Sequence, residues 1–297
     1  MAASAQADSL LPPELLAKLE RLELASRKIF KGQMKGERRS KRRGQSVEFD
    51  DFRTYVPGDD LRLIDWNLYA RLDQLFLKLF QEEEDLHLYV LVDASDSMGF
   101  GDPSKFFVAK QLAAALGYVG MCRSDRVSVQ ALGRDGRQAP VLRSRSSLWR
   151  MLRYLDGIRI GENISLRDSL KDFSTRHAGS GMVIVISDFL DKQGYEVALR
   201  SLVSRRMDIF LMHLLAPEEI DPSIRGDRRL IDSEDADAAE VTINQYAIDR
   251  YKETVTQFMG SLKEFCNRRS IAYVPITTEM PIDQMATSYL RKRGVVK

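Results

Sequence analysis

The feature that most limits the fold of this chain is an apolar run, Leu88–Val92, that ends abruptly at Asp93. A short apolar run followed by a small polar loop is typical of a parallel strand buried on both faces. A second run of this kind, Met182–Phe189, carries Asp188 near its end. Helical patterns alternate with such strands along the rest of the chain. This alternation predicts an α/β fold, in which right-handed βαβ units form a doubly wound, mostly parallel sheet with helices on both faces.

The patterns divide the chain into three regions. Residues 1–45 contain an amphipathic helix, expected over Glu14–Ile29, and a basic arm. Residues 46–86 mix short strand-like runs with a turn, which predicts a small N-terminal mixed subdomain. Residues 87–297 form the α/β domain, interrupted by a polar, Asp-rich insertion at about 216–242.

Within the α/β domain, apolar periodicity locates the individual elements. Strands are expected at Leu88–Val92, Arg126–Leu132, Ala139–Leu142, Met182–Phe189, Met207–Leu215 and Ile271–Pro275. Helices are expected at Pro103–Met121, Ser147–Leu155, Leu166–Thr175, Gly194–Ser204, Gln245–Arg269 and Pro281–Lys292. The second and third strands are expected to pair across a glycine-containing turn.

Oxygen-bearing side chains stand at every second position after the first strand, at Asp93, Ser95 and Ser97. In an extended loop this alternation points the three side chains the same way. Ligands of open α/β sheets bind beyond the carboxyl ends of the strands, so Asp188 is expected to converge on the same spot. Hard oxygen donors suit a small divalent cation. The sequence therefore predicts a magnesium or manganese site held mainly through hydroxyls and waters.

The loop Gly161–Leu170 (GENISLRDSL) offers Asn163 and Ser165 as weaker candidate ligands. Each of these polar residues also has a purely structural interpretation. Asp93 would cap the helix that follows it, and Asp188 would form a turn. Asn163 and Ser165, taken individually, are better explained as helix caps than as ligands.

The arrangement of these residues resembles the metal-ion-dependent adhesion site of von Willebrand factor A domains. The residues that match are Asp93, Ser95, Ser97 and Asp188. The resemblance implies that the two serines bind the metal directly and that an Asp from a third loop contributes, often through water. It also implies a Thr from a second loop, but here Ile164 lies nearest to that position, between Asn163 and Ser165. This chain therefore departs from the family pattern in its second loop.

A more specific resemblance lies upstream, where Gly44–Glu84 is similar to the signature of the bacterial family called domain of unknown function 58. The matching residues are Arg53, Tyr55, Gly58, Asp59, Asp60, Ile64, Asp65, Trp66, Ala70, Arg71, Lys78 and Glu84. The similarity continues through the A-type domain to the C-terminus. The chain is accordingly identified as a member of this family.

The signature block interleaves arginines and aspartates around aromatic residues. The residues concerned are Arg53, Asp59, Asp60, Arg62, Asp65, Trp66 and Arg71. Bidentate Arg–carboxylate pairs would make this block a packed ion-pair network that fixes the small subdomain onto the larger domain. The alternative is a surface for partner docking or catalysis.

The sequence offers little that would support catalysis. No nucleophile lies near His87, His177 or His213 in sequence, and neither of the usual nucleotide-binding glycine motifs occurs. We therefore assign no catalytic or cofactor-binding residues and expect a non-enzymatic protein-interaction module. The alternative is a metal-dependent phosphoester hydrolase, which would need a base and a second metal ion.

The family resemblance also implies a partner. Similar proteins are associated with MoxR-type AAA+ ATPases and are thought to act with them in chaperone-like assembly or activation of client proteins. By that analogy, the ion at Asp93, Ser95 and Ser97 would bridge to a carboxylate on the ATPase or on its client. This step is an analogy at the level of the family.

Charge and composition indicate which other classes of partner, such as nucleic acid or a membrane, are disfavoured. The net charge is only +2, and no recognition helix, aromatic series or zinc pattern accompanies the basic stretch Arg38–Arg43. Nucleic acid is therefore disfavoured, and a solvated arm or a surface for an acidic partner is expected. Cys122 and Cys266 match no metal-ligand spacing. The sequence also contains no signal peptide and no apolar run of about 18–20 residues, which predicts a cytoplasmic protein without a membrane span.

Overall fold

A computed structural model describes residues 10–25, 47–82, 87–132, 141–161, 165–177, 179–203, 207–231 and 238–297. The chain forms two compact units. The smaller unit comprises residues 36–85, and the larger comprises residues 1–35 together with 86–297. The N-terminal helix therefore belongs to the same unit as the α/β domain.

The secondary structure follows the alternation expected from the sequence. The strands are β1 (Val47–Thr54), β2 (Phe76–Glu82), β3 (His87–Asp93), β4 (Arg126–Leu132), β5 (Gly181–Ser187), β6 (Met207–Leu215), β7 (Gly226–Ile231), β8 (Ala238–Ile243) and β9 (Ala272–Thr277). The α-helices are α1 (Pro13–Leu19), α2 (Trp66–Leu72), α3 (Lys105–Cys122), α4 (Leu148–Gly157), α5 (Leu166–Arg176), α6 (Tyr195–Val203), α7 (Pro217–Ile220), α8 (Gln245–Arg268), α9 (Ile282–Gln284) and α10 (Leu290–Lys292). A π-helix (Met285–Tyr289) joins α9 to α10, and short 3₁₀ helices occupy Leu61–Leu63, Asp96–Gly99 and Arg145–Ser147.

Five parallel strands form the central sheet, in the order β4-β3-β5-β6-β9. Every residue of β5 and β6 is buried. Strands covered on both faces are mostly apolar, and these two are so apart from the buried polar residues Ser187, Asp208 and His213. The prediction of a parallel α/β sheet flanked by helices is confirmed.

A layer of helices packs against each face of this sheet. Leu88, Val90 and Val92 of β3 belong to a core that includes residues of α1, α3 and α4. Tyr89 and Leu91 point to the opposite face and join a core formed with α5, α6 and α8. Side chains alternate between the two faces of a strand, so consecutive residues of β3 contribute to two separate cores.

The connections place a topological switch point between β3 and β5. From β3 the chain crosses to β4 on one side, and it later returns to β5 on the other side of β3. In open α/β sheets, ligands bind in the crevice beyond the carboxyl ends of the strands at such a point. A ligand site is therefore expected at the residues that follow β3 and β5.

The N-terminal helix is shorter than its leucine spacing predicts. It was expected over Glu14–Ile29, but α1 ends at Leu19. Leu24 instead forms an antiparallel bridge with Val296, and the Ala25 backbone N–H donates to the Val295 carbonyl at 2.8 Å. Tertiary pairing with the C-terminal segment thus overrides local helical periodicity. The basic stretch Arg38–Arg43 lies outside the described residues.

The polar insertion and the expected third strand also differ from the prediction. The segment at about 216–242 was expected only to be polar and Asp-rich, yet it contains α7 and the antiparallel pair β7–β8. The strand expected at Ala139–Leu142 is seen as a single antiparallel bridge between Leu142 and Val127, since residues 133–140 are not described.

The smaller unit is built around one antiparallel hairpin. β1 pairs with β2 with a register shift between Phe49 and Asp51. Ile64 bridges to Leu77 and thereby attaches the 3₁₀ segment to β2. In the part of the chain that the structure describes, no helix of either unit is long and apolar enough to cross a membrane.

We expect replacement of Gly181 by Ala to weaken the central sheet. A Cβ atom at this first residue of β5 would lie 2.4 Å from the backbone carbonyl oxygen of His87 in β3. Because the obstacle is backbone, the two strands would have to move apart, and such overpacking typically costs about 1–3 kcal/mol. The free energy of unfolding in urea measures this loss. Gly179→Ala is the matched control, since nothing lies within 4 Å of a Cβ atom there. Equal stability of the two variants would contradict the prediction.

Candidate functional site

Asp93 ends β3 and is almost completely buried. Its Oδ1 accepts a hydrogen bond from the Ser95 backbone N–H at 3.0 Å, and its Oδ2 accepts one from the Ser187 hydroxyl at 2.5 Å. The alternative that Asp93 caps the following helix is wrong, because Ser104 caps α3 by accepting from the Phe107 N–H. The carboxylate is instead held at the carboxyl edge of the sheet, between β3 and β5.

The hydroxyls of Ser95 and Ser97 lie 3.1 Å apart and are partly exposed. Neighbouring ligands around an octahedral magnesium ion, each about 2.1 Å from the metal, are separated by about 3 Å. The two hydroxyls form a hydrogen bond with each other at this distance, and the same spacing is compatible with two neighbouring ligands of one such ion. Among the described residues, no three His, Cys, Asp or Glu side chains lie together as metal ligands. Direct contacts to an ion at this site would accordingly come from hydroxyls, with water completing the shell.

Asp188 follows β5 and is also buried. Its Oδ1 accepts from the Leu190 backbone N–H at 3.1 Å, so it forms the turn that the structural interpretation expected. Its Oδ2 accepts from the Lys105 ammonium at 2.7 Å. Burial, followed by the negative charge of Asp188, raises the pKa of Asp93 above its ordinary value. The two predicted carboxylates thus lie close enough to repel each other.

Lys105 is fully buried, and its Nζ atom contacts two carboxylates. The distances are 2.7 Å to Oδ2 of Asp188 and 2.6 Å to Oε1 of Glu219. The other oxygen of Glu219 accepts from the Ala216 backbone N–H at 2.8 Å. Burial alone would lower the pKa of Lys105, but the two carboxylates raise it above the ordinary value. The side chain therefore remains a cation inside the site.

Sequence reasoning missed three residues of this site, namely Lys105, Ser187 and Glu219. Lys105 carried a signal, because it begins α3, where the helix dipole disfavours a cation, and it adjoins the apolar run Phe106–Ala109. Glu219 carried none, since 114 positions separate it from the lysine and it lies in the insertion. Only the packing of the helices brings these two residues together.

The second predicted loop is seen only in part. Asn163 and Ile164 lie outside the described residues. The Gly161 backbone N–H donates to the Ala94 carbonyl at 3.2 Å, which brings the start of the loop to the first one. Ser165 caps α5: its hydroxyl accepts from the Asp168 N–H at 3.2 Å and donates to the Asp168 carboxylate at 3.1 Å. The Ser165 hydroxyl therefore acts as a helix cap, which is the role that the sequence favoured for this residue over metal binding.

Three large apolar side chains are exposed on the loops of this site. Phe100, Ile160 and Leu190 are 48%, 41% and 47% exposed. Each follows or precedes a residue of the site by only a few positions. A Cβ atom at Gly99 would lie 3.0 Å from Cδ1 of Ile160, so the first two loops touch. Apolar side chains therefore border the oxygen-lined centre, and we call these three residues the apolar rim.

Ion pairs join several signature residues in the part of the smaller unit that the structure describes. The Arg53 guanidinium donates to Asp59 at 2.8 Å, and Arg62 makes a bidentate pair with Asp60 at 3.1 and 2.8 Å. In both pairs the arginine is largely exposed. Surface pairs of this kind contribute at most about 1 kcal/mol each.

The remaining signature residues of the smaller unit have different roles. Asp65 caps α2 by accepting from the N–H groups of Asn67 and Leu68, and it pairs with Lys78 at 3.1 Å. Trp66 is 61% exposed. Arg71 is exposed as well. These described residues thus show a capped helix and local ion pairs, with Trp66 largely exposed, and the packed network stays a prediction.

The fold and the site define an α/β protein with an oxygen-lined centre at the switch point of its parallel sheet. The chain belongs to the family described as Protein of unknown function DUF58, which matches residues 51–258. The family membership expected from the signature is thereby confirmed.

Two related sequences come from mycobacteria. They are the uncharacterised proteins Rv1480 of Mycobacterium tuberculosis and Mb1516 of Mycobacterium bovis, each 28% identical over 242 residues that cover 78% of this chain and 75% of the relative. Two solved structures are also similar, each with a TM-score of 0.43 over 70% of this chain and 98% of the other. They are the conserved hypothetical protein BatB from Bacteroides thetaiotaomicron (13% identical) and an aerotolerance-related membrane protein from Bacteroides fragilis (14% identical).

We expect Lys105→Met to destabilise the protein by about 3–5 kcal/mol, because removing one member of a buried ion pair leaves its partner uncompensated. Adding Asp188→Asn should recover part of that loss, since the buried negative charge is then also removed. The free energy of unfolding of the two single variants and the double variant measures this coupling. Lys171→Met, at an exposed position of α5, is the control. Additive effects of the two substitutions would contradict the ion pair.

Proposed function

We propose that this protein is a non-enzymatic protein-interaction module with a von Willebrand factor A-like domain that holds one magnesium or manganese ion. The observation that carries this proposal is the pair of hydroxyls of Ser95 and Ser97, 3.1 Å apart and adjacent to the buried carboxylate of Asp93. This group lies at the switch point, where ligands of α/β sheets bind. The resemblance to the adhesion-type motif supports the same assignment.

Charge supports a cation at this position. Among the described residues, no lysine or arginine forms an ion pair with Asp93, although Asp188 lies near enough to raise its pKa. A buried carboxylate without a counter-ion is costly, and a bound divalent ion would supply the missing positive charge. The direct ligands are neutral hydroxyls, so the ion would stay electron-poor and would attract a carboxylate from a partner.

The apolar rim supports a protein as the partner. Phe100, Ile160 and Leu190 place exposed apolar surface on three loops around a polar centre. Protein interfaces commonly combine apolar anchors with a few polar contacts that fix the register. A free metabolite would leave these three side chains in water.

The partner within this proposal is a MoxR-type AAA+ ATPase, acting with its client in chaperone-like assembly or activation. This step is supported by the resemblance on which the family was recognised, and fold-level likeness alone would not carry it. The cytoplasmic location expected from the sequence forms part of the same proposal.

The rival function, hydrolysis of phosphoesters, has less support at this site. Two-metal hydrolases stabilise the reacting phosphate with free positive charge. Here the Lys105 ammonium already contacts two carboxylates at 2.7 and 2.6 Å and is fully buried. It therefore offers no free charge to a phosphate.

We expect calorimetry to detect binding of one magnesium or manganese ion to the wild type and a loss of affinity of at least about tenfold in Ser97→Ala, because one direct ligand is removed. Ser146→Ala is a matched control, since Ser144 and Ser146 form a second pair of hydroxyls two positions apart, at 2.6 Å, on an exposed segment. A folded wild type that binds no metal at millimolar concentration would refute the site. Metal-dependent turnover of a phosphodiester, abolished by Asp93→Ala, would instead establish the hydrolase.

We further expect the immobilised wild-type protein to retain a purified MoxR-type ATPase in the presence of magnesium. The immobilised Ser95→Ala variant is expected to retain much less of the ATPase in the same buffer. Keeping the magnesium concentration constant separates the effect on this site from the metal requirement of the ATPase itself. The amount of ATPase retained, measured against Ser146→Ala, is the readout. Equal retention by both variants would show that the ion does not bridge the two proteins.

A further inference from the structure

Arginines are concentrated in residues 123–159, which contain nine arginines, three aspartates and no lysine or glutamate. The whole chain has a net charge of only +2, so the rest of the chain offsets this local positive excess. A concentrated positive charge on a folded protein attracts negatively charged partners. The candidate site described above includes none of these arginines.

In the part of this segment that the structure describes, α4 presents two of the arginines to solvent. The helix is amphipathic, and its inner side is buried in the core. Its outer side carries Arg150, Arg153 and Trp149, the last of which is 61% exposed. Residues three or four positions apart are neighbours on a helix surface, so Arg153 lies beside both of the others. Arg145, which precedes the helix by three positions, is exposed as well. We call these four residues the arginine face.

The two arginines of α4 are not neutralised by their own helix. On α5, α6 and α8, an exposed arginine pairs with a carboxylate four positions before it. Arg150 and Arg153 have no such partner among the described residues, and no acidic residue lies in the first turn of α4. Like charges three positions apart repel each other and destabilise a helix. An acidic ligand on this side of α4 would relieve the repulsion.

One carboxylate of the chain already contacts the arginine face. Glu20 lies 3.4 Å from the Arg145 guanidinium and accepts a hydrogen bond from the Tyr118 hydroxyl at 2.9 Å. The side chains of Glu20 and Arg145 are 40% and 56% exposed, so this pair lies at the surface. An acidic side chain therefore fits against the segment that leads into α4.

We propose that the arginine face docks an acidic segment of a protein partner, with Arg150 and Arg153 binding carboxylates in bidentate pairs and Trp149 as the apolar anchor. The planar guanidinium matches a carboxylate in geometry, whereas a lysine ammonium is only a point charge, and residues 123–159 contain arginine alone. Tryptophan and arginine are also enriched among the residues that dominate the binding energy of protein interfaces. This surface does not depend on the proposed metal site.

Two other negatively charged partners fit this face less well. An amphipathic helix binds a membrane surface through its apolar side, but in α4 that side is buried in the core. Single-stranded nucleic acid is bound by several aromatic side chains on which successive bases stack. Trp149 is the single exposed aromatic residue of α4, a helix that the structure describes in full. A protein with exposed carboxylates is therefore the favoured partner.

The test is the fluorescence of Trp149 during titration with a synthetic glutamate-rich peptide that has a central leucine and no tryptophan. The chain has two tryptophans, so Trp66→Phe leaves Trp149 as the only reporter. At physiological ionic strength and with a metal chelator present, its emission is expected to shift to shorter wavelength, because the ring leaves water. The same peptide with glutamine in place of glutamate should cause no shift. A folded protein whose emission stays unchanged with the acidic peptide would overturn the proposal.

Two double variants in the same background test the arginines. Arg150→Glu/Arg153→Glu is expected to weaken peptide binding at least about tenfold, because attraction becomes repulsion. Arg150→Lys/Arg153→Lys keeps the charge and is expected to weaken it about threefold, because the bidentate geometry is lost. This second variant also serves if charge reversal impairs folding.

Arg167→Glu/Lys171→Glu, at exposed positions of α5, is the matched control, since it changes the net charge by the same amount as the first variant. An equal loss of affinity in the control and in the first variant would overturn the proposal, because the effect would then depend on net charge alone. Unchanged affinity in the lysine variant would overturn it as well.

Two further probes separate the classes of partner. Phosphatidylserine vesicles and single-stranded polyuridine RNA are titrated under the same conditions, and the peptide is expected to give the larger shift of the Trp149 emission. A larger shift with either probe would overturn the assignment to a protein. Because the chelator removes divalent metal, peptide binding supports the arginine face whether or not the metal site exists, and the two proposals fail separately.

Discussion

The rest of the structure depends on the burial of both faces of the five-stranded sheet. Helices cover each face, so most side chains of the strand interiors are apolar, and the two cores meet along the same strands. Buried polar side chains inside the strands are few, namely Ser128, Gln130, Asp208 and His213. At the carboxyl edge between β3 and β5, Asp93, Ser187 and Asp188 lie side by side. The position of the candidate site is a consequence of how the core is packed.

The buried carboxylates at this edge of the sheet need nearby positive charge or hydrogen-bond donors, and they do not all receive the same kind of partner. The Lys105 ammonium contacts both Asp188 and Glu219, and hydrogen bonds from Ser187 and the Ser95 N–H stabilise Asp93. Uncompensated buried charge costs several kcal/mol, so a fixed ammonium on one side and an open pair of hydroxyls on the other form an asymmetric site. The apolar rim around it adds the surface that a protein partner would contact.

The apolar pattern of the sequence was sufficient to predict the long helices and the fully buried strands. The strand Met207–Leu215 was predicted with its exact bounds, and the helix Gln245–Arg268 to within one residue, because apolar periodicity over such lengths is unambiguous. The prediction was wrong for residues 20–25, which follow α1 and are not helical, and Leu24 there pairs with Val296. The hairpin β7–β8 was missed because each of its strands has only six residues and both lie in or next to a segment that is Asp-rich.

The sequence by itself determined the class of fold, the family and the first half of the site. Asp93, Ser95 and Ser97 were selected on the assumption of an extended backbone, but Ser97 lies in the 3₁₀ helix Asp96–Gly99, and it is this turn that brings the Ser95 and Ser97 hydroxyls within 3.1 Å. Tertiary structure alone decided the second half. Lys105, Asp188 and Glu219 come from three distant segments, and no local rule relates residues 83 and 114 positions apart. They meet because the helices that follow β3 and β6 begin at the same edge of the sheet, where burial makes an ammonium between two carboxylates more stable than any of the three charges alone.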